Sequence, residues 1–84
     1  MRYYFDIIES AGACLHDEQG ELHDDRSKAE AEAAKVATEM VRYGFTRANA
    51  IDCAIEVRGE NGPPFVRVRV CATLEIERLA PRPD

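Results

Sequence analysis

A chain of 84 residues, 45% of them hydrophobic, with 16 acidic against 11 basic side chains and a formal net charge of −5, can enclose only one modest core. Two domains are excluded, and the mean field opposes phosphate backbones and anionic lipid head groups, so a nucleic-acid partner would need a local basic patch. Cys14, Cys53 and Cys71 are odd in number, lie far apart and form no Cys-x-x-Cys pair, which argues against a disulfide framework or a zinc ribbon and for reduced, structural thiols.

The opening Met1-Arg2-Tyr3-Tyr4-Phe5-Asp6 lacks the uninterrupted apolar stretch of a signal peptide, and no run approaches the roughly 18 apolar residues of a membrane span. A cytoplasmic protein with no membrane partner is expected. Arg2 to Ile8 is β-rich, with Tyr3, Phe5 and Ile7 in one register and Tyr4, Asp6 and Ile8 in the other, which suits an interior strand. After a turn over Glu9 to Gly12, a short second strand over Ala13 to His16 should return antiparallel with Leu15 facing the core, before Asp17-Glu18-Gln19-Gly20 turns the chain again.

Ser27 followed by Glu30 matches a capping box, and Asp24 and Asp25 add favourable charge at the positive end of the dipole, so a helix should begin near Ser27. From there Ala29, Ala33, Val36, Ala37, Met40 and Val41 recur at spacings of three and four and form one apolar stripe. The stripe is rich in alanine, so the helix can lie close to a sheet. Gly44 is a natural residue to follow the last helical turn, which should end near Tyr43, with Phe45 to Ala50 as the connection to the next strand.

Ile51 to Arg58 alternates, and Phe65 to Leu79 alternates over its whole length: Val66, Val68, Val70, Ala72, Leu74 and Ile76 share one register, while Arg67, Arg69, Thr73, Glu75 and Glu77 fill the other. Antiparallel pairing of Val57 with Val66, Ile55 with Val68, Cys53 with Val70 and Ile51 with Ala72 brings every dry residue to a dry residue, and sets Glu56 opposite Arg67 on the wet face. Asn61-Gly62 marks the turn, but Pro63 and Pro64 lack the N–H that a tight two-residue hairpin would need, so a wider loop over Gly59 to Pro64 is expected, closed by Arg58 opposite Phe65. Beyond Ala72 the last strand outruns its partner, and its backbone groups there need another strand, from the first strand or from a second subunit. Residues 1–79 thus read as a single α+β domain, followed by a disordered 80–84 tail.

The Arg-Tyr-Tyr-Phe-Asp-Ile start, the Asp-Glu-x-Gly turn at Asp17 to Gly20, the alanine-rich helix, Ile-Glu-Val-Arg at 55 to 58 and Val-Arg-Val-x-x-x-Leu-Glu-Ile-Glu-Arg-Leu at 68 to 79 resemble a family of short bacterial proteins catalogued only as a domain of unknown function. The resemblance spans nearly the whole chain and implies a β-β-α-β-β domain. Its motifs are strand patterns rather than chemical signatures, so it transfers no catalytic residue.

Cys14, His16, Asp17, His23 and Asp24 are the one cluster of potential metal ligands, but their spacing matches no established ligand pattern, and exposed turns collect such residues without function. Arg58, Arg67 and Arg69, with Phe65 beside them, make a small basic and aromatic patch of the kind that stacks single-stranded bases, although Glu56, Glu75 and Glu77 interrupt it and can neutralise it. A nucleophile-base-acid set and a phosphate-binding glycine loop are both missing from the pattern. The expectation is therefore a two-layer α+β domain, β-β-α-β-β, with a four-stranded mainly antiparallel sheet, no enzyme activity, no cofactor and no bound metal. The first strand should be central, beside the second on one side and the third and fourth on the other. Its role should be a non-catalytic interaction module, homodimeric, binding an unknown protein partner through a strand edge or the open sheet face. The alternative is a nucleic-acid-associated regulator, antitoxin-like, that uses the Arg58, Arg67 and Arg69 hairpin face.

Overall fold

The computed structural model describes residues 1–44 and 48–81. Its elements follow the order β1 (Arg2–Glu9), β2 (Cys14–Leu15), β3 (Glu21–Leu22), α1 (Arg26–Gly44), β4 (Ala50–Gly59) and β5 (Pro64–Thr73). The sheet runs β2-β1-β4-β5 with β3 also paired to β1, every pairing is antiparallel, and α1 packs across β4 and β5 on one face. This is the expected two-layer α+β domain with one more strand than expected. No helix among the described residues is long and apolar enough to cross a membrane.

The additional strand has a local cause. A single return strand beside β1 is split in two: β2 pairs Ile7 with Leu15 and Ile8 with Cys14, while β3 pairs Arg2 with Leu22 and Tyr3 with Glu21. Between them the Asp17 carboxylate takes the place of a backbone acceptor, receiving the Phe5 N–H on Oδ2 at 3.0 Å. Gly20 makes the accompanying turn at φ 68°, where a Cβ would lie 2.7 Å from the Tyr3 carbonyl oxygen, so only glycine fits without a shift. Leu15 does not reach the core and is 64% exposed, because the helix lies over the far strands and leaves β2 uncovered by any described element.

The β4–β5 hairpin keeps the register read from the alternation, with Ile51 opposite Ala72, Cys53 opposite Val70, Ile55 opposite Val68 and Val57 opposite Val66. The register shifts beyond Val57, where Arg58 faces Pro64 rather than Phe65. Phe65 is thus an extra residue on β5, and the bulge turns its ring to the helix side. Asn61 accepts the left-handed conformation of the loop at φ 57°.

Asp25, not Ser27, caps the helix: its Oδ1 accepts the Lys28 N–H at 2.9 Å and its carbonyl accepts the Ala29 N–H. Aspartate is as good a cap as serine, and beginning earlier adds helical residues. Ala29, Ala33 and Ala37 are buried, with Val36, Met40 and Val41 partly buried beside them. They meet Tyr3, Cys53, Ile55, Val57 and Val70, so the core is a thin layer between a small-residue helix face and the sheet. Gly44 is the last helical residue and not a left-handed cap; a Cβ there would sit 2.5 Å from Ile51 Cδ1, so its smallness serves close packing. Of the connection expected over Phe45 to Ala50, residues 45–47 lie outside those described and Ala50 already belongs to β4.

The last strand is shorter than its alternation. The Leu74 N–H donates to the Asn49 carbonyl at 2.7 Å, and beyond that bond β4 has no residue to offer, so residues 74–81 belong to no helix or strand. Ala80 and Pro81 of the expected tail are among them; residues 82–84 lie outside those described.

Candidate interaction site

Strand alternation gives the sheet a second face away from the helix, carrying Tyr4, Asp6 and Ile8 from β1, Asp52, Ala54, Glu56 and Arg58 from β4, and Arg67, Arg69 and Cys71 from β5. Asp6 is only 6% exposed there. Its Oδ2 receives Arg58 Nε at 2.9 Å and its Oδ1 receives the Asp17 N–H at 2.8 Å. Arg58 also donates to the Asp17 carbonyl at 2.8 Å and stacks its guanidinium 4.5 Å from the centre of the Tyr4 ring. Asp17 in turn gathers the Gln19 and Gly20 N–H groups on Oδ1. One charged network therefore fastens the β2–β3 turn to the middle of the sheet.

The electrostatics agree with that geometry. Burial pushes the Asp6 carboxyl up, but the Arg58 hydrogen bond, the Asp17 N–H and the charges of Arg58 and His16 outweigh it and hold it below the usual carboxylate value. Burial acts on Asp17 in the same way and is outweighed by the N–H groups of Gly20, Phe5 and Gln19. The Asp6 hydrogen bond raises the pKa of Arg58 further, against desolvation. His16 sits beside the same pair, with Nε2 3.0 Å from an Arg58 terminal nitrogen and Nδ1 3.4 Å from Asp6 Oδ1; in the neutral ring Nε2 accepts from Arg58 and Nδ1 carries the proton. Together these contacts hold the turn against the sheet.

The arginine patch read from the sequence is only partly assembled. Arg58, Arg67 and Arg69 share the open face, but each is engaged by a carboxylate: Arg58 by Asp6, Arg67 by Glu56 through Nε at 2.8 Å, and Arg69 by Asp52 at 3.2 Å. Phe65 is not with them. The bulge places its ring edge-on to Tyr3, with centroids 6.0 Å apart, beneath the Arg26 guanidinium at the start of the helix.

The candidate metal ligands also divide between the faces. His16 lies on the open face, whereas His23 packs against Tyr3 and Phe5 on the helix side, with ring centroids 6.3 and 5.8 Å away. No group of three or more His, Cys, Asp or Glu side chains among the described residues is arranged to hold a metal ion. Cys14 and Cys71 are exposed, and Cys53 is buried, where burial and the charges of Asp52 and Glu9 push its thiol pKa up.

The other feature of this region is an edge. Among the described residues β5 is the outermost strand, bonded to β4 on one side and to no strand on the other. The chain leaving it carries Leu74, Ile76 and Leu79, which are 41%, 68% and 86% exposed. The surplus of alternating sequence after Ala72 signals this edge in the primary structure. The Asp6–Arg58–Asp17 network was not legible there, because residues 6, 17 and 58 are joined only by the fold.

No curated protein and no solved structure matches the chain. The model of a family described as a domain of unknown function, DUF6894, matches residues 2–71, which cover β1 to β4, the helix and most of β5. The chain belongs to the DUF6894 family.

Proposed function

We propose that the chain is a non-catalytic interaction module that binds another polypeptide by strand addition along the outer edge of β5. The observation that carries this reading is the outer side of Pro64–Thr73, which no strand among the described residues covers, continuous with a segment that exposes Leu74, Ile76 and Leu79. An edge of this kind offers a row of backbone donors and acceptors, and strand addition satisfies them while apolar side chains dock on alternate positions. Pro64, the bulge at Phe65 and the charges of Arg67 and Arg69 guard the edge against indiscriminate pairing, so a partner must complement them.

Carboxylates on Arg58, Arg67 and Arg69 favour this protein-binding role over the nucleic-acid-associated alternative, because a phosphate would have to displace Asp6, Glu56 or Asp52. The non-catalytic reading draws on the Asp6–His16–Arg58 network being spent on a turn. The test is affinity capture from the native host with the whole chain as bait, comparing wild type with Cys71→Pro. Proline at 71 removes one N–H from the outer edge and leaves the bonds to β4 in place. A partner held by wild type and lost by Cys71→Pro supports strand addition; a partner held equally by both refutes it.

A further inference from the structure

We infer that the polypeptide added to the β5 edge is a second copy of this chain, running antiparallel about a two-fold axis at Ala72. The inference rests on the strand-addition reading and names its partner.

The backbone sets the first condition. Because the Leu74 N–H, just past β5, donates to the carbonyl of Asn49, just before β4, the even-numbered residues of β5 turn their backbone groups inward, and alternation turns those of Arg67, Arg69, Cys71 and Thr73 outward. An antiparallel partner must present outward groups to outward groups, so odd positions face odd and even face even. The even set is Val66, Val68, Val70, Ala72, Leu74 and Ile76, so the hydrogen-bond geometry alone brings apolar residues to apolar residues.

Charge selects among the registers that satisfy this condition. With the axis at Ala72 and residues 74–77 extended, Arg67 faces the partner's Glu77 and Arg69 faces the partner's Glu75, and symmetry repeats both pairs. On the helix side Val68 meets the partner's Ile76, Val70 meets the partner's Leu74, and the two small Ala72 side chains meet at the axis. Moving the axis to Cys71 keeps only Arg67 opposite Glu75 and sets Glu77 against Phe65. Moving it to Thr73 keeps only Arg69 opposite Glu77 and sets Glu75 against Cys71.

The arginines are placed to serve both neighbours. Arg67 already bonds Glu56 and Arg69 already bonds Asp52 on β4, and both side chains remain more than half exposed toward the open edge. Each guanidinium has five donors, so it can bridge a carboxylate on either flanking strand, giving rows Glu56–Arg67–Glu77 and Asp52–Arg69–Glu75 across the joined sheets. Exposed Leu74 and Ile76 gain cover in the same step, which a monomer leaves in water.

The test is sedimentation equilibrium of the full chain as wild type, Arg69→Glu, Glu75→Arg and the double variant, with thermal melts to confirm folding. Glu75→Arg is the cleaner single change because residue 75 lies outside the regular elements. Wild type is expected to dimerise, each single reversal to weaken the dimer about tenfold or more, and the double variant to restore it. A monomeric wild type at millimolar concentration, a dimer indifferent to Glu75→Arg, or a double variant no better than the singles would overturn the inference. A monomeric wild type whose captured partner is still lost by Cys71→Pro would overturn self-pairing and spare strand addition. A dimer indifferent to both Cys71→Pro and Glu75→Arg would overturn both.

Discussion

Arg58 donates from Nε to Oδ2 of Asp6 at 2.9 Å, joining the two central strands diagonally on the face that the helix leaves open. Asp6 and Arg58 are mostly buried there, and the same guanidinium reaches on to the carbonyl of Asp17. A strand pair, a turn and the interrupted return strand are thus held by one cation. Removing it would leave the Asp6 carboxylate enclosed without its counter-charge, so Arg58→Ala should cost about 3 kcal/mol in urea denaturation. Arg58→Lys should recover only part of that, since a single ammonium cannot reproduce the planar fork that serves Asp6, Asp17 and Tyr4 together. Equal stability of all three proteins would contradict the role given to the network.

Acid should undo the same network. Asp6 and Asp17 both have folded pKa values below the ordinary carboxylate value, near 3.9 in an unfolded chain. The unfolded state therefore binds protons first as pH falls, and the stabilisation, full above about pH 5, is lost as pH drops through the lowered folded values. Denaturation midpoints between pH 7 and pH 2 should show this acid limb, and Asp6→Asn should make it shallower. An acid limb unchanged by Asp6→Asn would place the proton uptake elsewhere.

The turn offers a sharper steric test. Gly20→Ala combines a φ of 68° with a methyl 2.7 Å from the Tyr3 carbonyl oxygen, and should cost about 1–3 kcal/mol. Gly12→Ala, at φ 94° but with open space around it, carries the conformational cost without the collision and should be milder. Matching losses in thermal melts would show that the contact with β1 is not tight.

Val68 lies opposite Ile55 on the helix side of the hairpin, packed against the core. Val68→Asp sets a carboxylate at a half-buried position against the apolar layer, a penalty of about a few kcal/mol in a domain whose total stability is of that order. Cooperative unfolding should disappear. A melting curve like that of wild type would mean the hairpin faces were assigned the wrong way round.

Legibility in the sequence followed the range of the interactions. The β4–β5 register was readable because a loop centred on Asn61-Gly62 sets Ile51, Cys53, Ile55 and Val57 opposite Ala72, Val70, Val68 and Val66, every apolar residue on an apolar partner. The helix stripe was equally plain from the spacing of Ala29, Ala33 and Ala37. Ser27 was a plausible cap, and only the backbone path shows that Asp25 takes that place. Phe65 was misplaced because alternation carries no record of a bulge, and Leu15 because a local pattern cannot say how far a distant helix extends. Asp17 looked like a turn residue and is one, but its substitution for a backbone acceptor between β2 and β3 depends on strands being brought together. The open edge of β5 was foreshadowed by alternation that continues after β4 has run out.

Amide hydrogen exchange across a dilution series tests the central claim, that a second copy closes the outer edge of β5, most directly. Val68 and Val70 point their N–H groups inward to β4, while Arg69 and Cys71 point theirs outward. The account predicts slow exchange at all four amides in concentrated protein, with Arg69 and Cys71 alone becoming fast on dilution. Fast exchange at Arg69 and Cys71 at every concentration, beside protected Val68 and Val70, would contradict it.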